Sequence, residues 1–156
     1  MCTFLSCSFI VFKIENIPSR GQDVVNANTL IEFSNEFIII LLSSSTKKKL
    51  FDILYRLNIL PDIFSKILTP EDFIKENQHE IFNKFDAFVF LSQYYSINFT
   101  EILSIGDRYL TDIKPIIDLG GMGVLVYHPR DINDILFDIK NLDARTQNVN
   151  YKWYLS

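Results

Sequence analysis

Two aspartates stand where an apolar run ends, in Ile102-Leu-Ser-Ile-Gly-Asp107-Arg-Tyr-Leu-Thr-Asp112. Gly106 lets the backbone turn tightly after the run. The two carboxylates can then face one small volume, as a hard dication such as Mg²⁺ asks of its oxygen ligands. An acid in the first turn of a helix is also favoured by the helix dipole alone, so Asp112 by itself supports either reading.

A second segment, Ile38-Ile-Ile-Leu-Leu-Ser43-Ser44-Ser45-Thr46, ends an apolar run in hydroxyls and opens a helical pattern. A helix start offers unpaired N–H groups and partial positive charge, a setting suited to an anion. Ser43 can add a hydroxyl donor there, with Ser44 and Ser45 supplying backbone N–H groups. Taken alone, these residues also read as plain N-capping by Ser45 or Thr46. Lys47, Lys48 and Lys49 read as a solvated face. A third element is Lys84, at the start of a helical pattern that leads directly into the run ending at Asp107. Lysine there can neutralise phosphate as a point cation.

Alternating strands and helices must position these residues. Strands are expected at Phe9–Ile14, Phe37–Leu42, Ile67–Thr69, Glu101–Ile105 and Gly123–Tyr127. Helical spacing covers Val24, Val25, Leu30 and Ile31, then Thr46–Asn58, the turn Pro61–Phe64, and a helix burying Phe85, Phe88, Val89 and Ser92. Helices at Thr111–Leu119, ended by Gly120-Gly121, and at Asp131–Ile139 complete the series, with Thr100 capping a helical start before Glu101. Phe37–Leu42 is apolar on both faces, which suits the middle of a covered parallel sheet. The expected fold is therefore α/β: a three-layer, Rossmann-like, parallel five-stranded sheet with helices on both faces. Ligands of such sheets sit beyond the carboxyl ends of the strands. Lys13–Ile17, Ser43–Ser45, Thr69–Asp72, Gly106–Asp112 and His128–Arg130 are the segments to inspect.

The chain has 156 residues, one domain's worth, with a core over about 8–140 and a C-terminal extension over 141–156. A chain of this length can bury roughly 68–70% of its unfolded surface without metal or disulfide support. Net charge is −4, with no long basic stripe, which argues against nucleic acid as the main partner. Two cysteines, Cys2 and Cys7, give no metal spacing and no disulfide framework, so a reducing, cytoplasmic compartment is expected. The start MCTFLSCSFIVF reads as leading into a buried strand; no positive residue precedes its apolar run as a signal peptide requires. No apolar run reaches the roughly 18–20 residues of a membrane-spanning helix. Tyr151-Lys-Trp-Tyr154 reads as a tail that packs back on the domain or adds an edge strand.

Taken together, the serine-ended strand, Lys84-Phe85-Asp86 and Gly106-Asp107 to Asp112 with Leu119-Gly-Gly-Met122 resemble three ordered motifs of the haloacid-dehalogenase-like superfamily, phosphatase type. The resemblance covers about residues 8–140. It implies Mg²⁺ at Asp107 and Asp112, phosphate at Ser43, Ser44 and Lys84, and a first strand that ends in Asp-x-Asp-Gly-Thr. The segment in that frame is Phe9-Ile-Val-Phe-Lys13-Ile14-Glu15-Asn16-Ile17. Lys13 thus falls where the resemblance implies the nucleophilic aspartate, and Glu15 where it implies the acid/base aspartate. Asp23 is the alternative nucleophile, but no apolar strand precedes it.

The family's chemistry needs a carboxylate that forms an aspartyl-phosphate. A lysine cannot form that acyl phosphate, and beside Asp107 and Asp112 its charged, non-nucleophilic form is favoured. Lys13 is expected instead to act as a fixed cation salt-bridged to Asp107 or Asp112, where Mg²⁺ would sit. The expected function is a catalytically impaired phosphatase-fold domain that retains a site for a phosphorylated small molecule or phosphoprotein. The alternative is an active Mg²⁺-dependent phosphomonoesterase. The short spacings from Ile17 to Ser43 and from Ser43 to Lys84 leave no room for a large cap domain. Lys13, Ser43, Lys84, Asp107 and Asp112 are expected to converge on one pocket at the carboxyl edge of the sheet.

Overall fold

The computed structural model describes residues 9–12, 27–72, 83–127, 133–135 and 151–155. The strands are β1 (Phe9–Phe12), β2 (Ile38–Leu42), β3 (Lys66–Leu68), β4 (Ile102–Gly106), β5 (Met122–Val126) and β6 (Tyr151–Leu155). The helices are α1 (Ala27–Ser34), α2 (Lys47–Arg56), α3 (Lys84–Tyr95) and α4 (Lys114–Asp118), the last entered through a π-helical turn at Tyr109–Ile113. All six strands form one sheet in the order β3-β2-β1-β4-β5-β6. Each neighbouring pair from β3 to β5 is parallel, and β6 runs antiparallel to β5.

Side-chain alternation along the strands explains the layering. Ile39 and Leu41 of β2 and Leu103 and Ile105 of β4 point to one face, where they meet Leu30 and Phe33 of α1 and Leu50 and Leu54 of α2. Ile40, Leu42 and Ile102 point to the other, where they meet Ala87, Phe88 and Leu91 of α3 and Ile116 of α4. Both faces of β2 are therefore sealed, and Ile39, Ile40 and Leu41 have no exposed surface. Burying each such side chain stabilises by about 1.5–3 kcal/mol, before the entropy of ordering is subtracted.

Local signals set the helix ends. Thr46 caps α2 by accepting from Lys49 N–H, and Asn83 caps α3 by accepting from Asp86 N–H. Gly120 ends α4 at a φ of 98° that L side chains rarely adopt, with Gly120 N–H and Gly121 N–H donating to Ile117 and Ile116 carbonyls.

Several expectations are corrected. The sheet has six strands and is mixed, because Tyr151–Leu155 pairs along all of β5 and covers what would be an open edge. Lys84, Ala87, Phe88 and Leu91 form the buried face of α3, while Phe85 is 42% exposed. The Lys84-first face follows from i, i+3, i+4, i+7 spacing starting one residue earlier than the aromatic pattern suggested. Asn98, not Thr100, precedes the short 3-10 turn Phe99–Glu101, and Glu101 accepts from Asn98 N–H at 2.9 Å. Residues 13–26, with Lys13, Glu15 and Asp23, lie outside the described residues, as do Cys2, Cys7, His128–Arg130 and most of the expected Asp131–Ile139 helix. Among the described residues, no helix is long and apolar enough to cross a membrane.

Candidate active site

β1 lies between β2 and β4, with Phe12 level with Leu41 on one side and Ile105 on the other. The carboxyl ends of the three central strands therefore share one edge. Ser43 follows β2 there, Asp107 follows β4, and position 13 follows β1 in the chain.

The β4 end is built around Asp112. The buried Ser104 hydroxyl, within β4 itself, donates to the Asp112 carbonyl at 2.7 Å and ties the π-helical turn to the strand. The Asp112 carboxylate accepts from Lys84 Nζ at 2.6 Å and Thr111 Oγ1 at 3.1 Å on one oxygen, and from Arg108 N–H at 3.1 Å on the other. A carboxylate offers about four lone-pair sites, so most of this one is taken up inside the protein. Gly106 makes the fit feasible: a Cβ there would stand 2.4 Å from Asp112 Cβ and 2.6 Å from its Oδ2. The extra residue of the π-helical turn brings Asp112 back over the strand end, a geometry the sequence does not signal.

Lys84 reaches this carboxylate from the first turn of α3. Its side chain is 5% exposed and that of Asp112 is 1% exposed, so the ion pair is buried. Asn83 fixes the start of α3 through its bond from Asp86 N–H and a second, 2.7 Å, from its own amide to Asp86. The neighbouring side chains then form a cleft of about 260 Å³ lined by Ser44, Asn83, Lys84, Phe85, Leu110, Thr111 and Pro115.

The β2 end is organised from within. Ser43 is fully buried, its N–H donates to Leu68 at 3.0 Å, and its hydroxyl accepts from Ser45 N–H at 3.1 Å. Ser45 N–H is thus used in an internal turn, and Ser44 is the serine that faces the cleft. Lys47 belongs to a further network instead of a purely solvated face: Nζ contacts Asp72 at 2.9 Å, and Thr69 Oγ1 donates to the same carboxylate at 2.9 Å. Burial works to raise the Asp72 pKa, but the bonds from Lys47 and Thr69 and the charge of Lys47 outweigh it and hold Asp72 below its ordinary 3.8.

Among the described residues, Lys84 and Asp112 pair directly, and Ser44 lines the same cleft as Lys84. Ser43 sits behind it, and Asp107 is exposed at the strand end. The Lys13 pairing with Asp107 or Asp112 lies outside the described residues. Ser104 and Thr111 were not anticipated; a lone hydroxyl in the otherwise apolar Ile102–Ile105 run was the available signal for the first. Among the described residues no group of three His, Cys, Asp or Glu side chains gathers as metal ligands do.

No protein-family model and no curated protein sequence matches the chain. Solved structures do. An uncharacterized protein from Listeria monocytogenes serotype 4b superposes with a TM-score of 0.60 at 16% identity, over 86% of this chain and 99% of that one. A haloacid dehalogenase-like family hydrolase from Xanthomonas campestris gives 0.56 at 13% identity, over 76% of this chain and 49% of that one. The core domain of a proposed phosphoglycolate phosphatase from Streptococcus pneumoniae gives 0.53 at 18% identity, over 74% and 77%. The chain matches about half the length of the Xanthomonas protein. At these identities the likeness is one of fold.

Proposed function

We propose that this chain, whose fold is that of the haloacid-dehalogenase-like hydrolases, is a phosphate-ester-binding domain that does not carry out the hydrolytic step. The observation that carries the reading is Lys84, which is paired with buried Asp112 and lines one cleft with Ser44, on the edge where β1, β2 and β4 end. An ammonium group has three donors, so pairing with Asp112 is compatible with donation to a bound oxyanion. Ser44 and Thr111 add polar groups on the same cleft.

The chemical step is a separate matter. The chain leaves the central strand β1 into Lys13, at the point where the fold's phosphatases, by resemblance, present a nucleophilic aspartate. Lysine supplies no acyl phosphate and no metal ligand. Mg²⁺ asks for near-octahedral oxygen ligation, commonly through one or two carboxylates. Here Asp112 is committed to a lysine, a hydroxyl and a backbone N–H, which leaves Asp107 as the exposed carboxylate of the pair. Among the described residues, a carboxylate already paired with a lysine makes a poor Mg²⁺ ligand, and no step is routed through a metal. What remains is anion binding and positioning, and an electrostatic cradle without its nucleophile leaves only a small residual acceleration. Cysteine usage supports a reducing, cytoplasmic setting.

The test is a phosphatase assay with and without Mg²⁺ on a broad panel of phosphate monoesters, comparing the wild type with Lys13→Asp. The expected wild-type turnover is at most slightly above the protein-free control and does not depend on Mg²⁺. Robust Mg²⁺-dependent hydrolysis by the wild type would establish the active phosphomonoesterase instead, with Glu15 or Asp23 in the nucleophile's role.

A further inference from the structure

Resting on the phosphate-binding reading, we infer that the cleft takes an aryl phosphate: a single aromatic ring carrying one phosphoryl group. Three observations converge. Part of the lining is polar, from Lys84, Ser44, Asn83 and Thr111, with the Lys84 charge balanced by Asp112. The remaining walls are apolar, made by Phe85, Leu110 and Pro115. Phe85 is 42% and Leu110 73% exposed, and both line this cleft.

Single exposed apolar side chains are ordinary on a protein surface. Two that line the same cleft as a buried lysine give that cleft both apolar and polar surface. A small polar phosphate ester would satisfy the polar surface and leave the apolar surface in water. An apolar group attached to the phosphate would cover Phe85 and Leu110 in the same binding event.

Size selects the apolar group. A cavity of about 150 Å³ holds benzene, and a water occupies about 30 Å³ of liquid. The cleft of about 260 Å³ thus holds one ring with space for roughly three to four water-sized groups, enough for a phosphoryl head. It is below the roughly 300–1,000 Å³ typical of drug-sized ligands, which favours a single ring over a nucleotide. A second groove among the described residues, about 510 Å³ and lined by Phe51, Tyr55 and Leu60 among others, has no basic side chain in its lining and offers nothing to a phosphate.

The experiment titrates the full chain with phenyl phosphate, glycerol 3-phosphate and inorganic phosphate by calorimetry, then repeats the series with Phe85→Ser/Leu110→Ser. Both positions are exposed, so the variant is expected to fold, which circular dichroism checks. Phenyl phosphate should bind at least about ten-fold tighter than the other two, as one apolar group in a pocket commonly discriminates. The variant should lose that preference and keep its affinity for inorganic phosphate. Equal affinity for the three ligands would overturn the inference and leave phosphate binding standing, as would a preference unchanged in the variant. Binding of none of them would remove the phosphate reading and this inference together. A phosphotyrosyl peptide forms the last arm: tighter binding than phenyl phosphate assigns the aryl phosphate to a protein side chain, and weaker binding assigns it to a free metabolite.

Discussion

Lys84 and Asp112 lie 28 residues apart in the chain and meet across a 2.6 Å ion pair, at 5% and 1% side-chain exposure. The contact joins the start of α3 to the turn after β4, so it holds two separate walls of the cleft in one place. Removing one partner leaves the other charge buried. Lys84→Met is therefore expected to destabilise by about 3–5 kcal/mol. Adding Asp112→Asn removes the orphaned charge while keeping an acceptor for Arg108 N–H, and should recover most of the loss. Urea unfolding midpoints measure both; a single variant as stable as the wild type would contradict a buried pair.

Gly106 and Asp112 share a space that admits no further carbon, since an added Cβ would lie 2.4 Å from Asp112 Cβ. Gly106→Ala should cost about 1–3 kcal/mol by overpacking. The clash is with Cβ as well as with Oδ2 and Cγ, so an Asp112→Ala background should relieve it only in part, whereas Asp112→Gly should relieve it fully. Thermal melting of the three combinations checks the order.

Asp72 carries a pH signature of its own. Its folded pKa is depressed below 3.8 by Lys47 and Thr69 acting against burial. A depressed carboxyl adds stability that is present above the unfolded value and is lost as pH falls through the folded one. Asp72→Asn should therefore be less stable than the wild type at neutral pH, and the gap should close below pH 3.8. The pair is partly exposed, at 49% for Lys47 and 21% for Asp72, so the difference should be small and should shrink further in high salt. A gap that persists in strong acid would assign the effect to something other than this charge.

The parts legible in sequence were those written in local pattern. The two-faced apolar run of β2, the glycine at the end of β4 and the serine-to-helix junction gave the sheet interior and its ligand-side edge. They placed Lys84 near Asp112 without specifying that the two pair directly. Partnership is a tertiary fact, set by where α3 lands on the sheet. The inward turn of Ser43 was equally hidden, because an ST-turn and an anion cradle use the same residue types. The strand Tyr151–Leu155 was one of two readings of an aromatic tail; pairing with β5 is a long-range choice that alternation within five residues cannot decide. The π-helical turn at Tyr109–Ile113 has no composition signal, and a regular helix from Thr111 was the simpler expectation.

The central claim is that this fold binds a phosphate ester and leaves it intact. Phosphorus NMR of a mixture of phosphate monoesters, with the full chain and Mg²⁺ present, reads binding and cleavage in one experiment. At least one ester resonance is expected to broaden or shift on addition of protein while no inorganic phosphate signal grows. Steady growth of inorganic phosphate, stopped by a chelator, would contradict the claim.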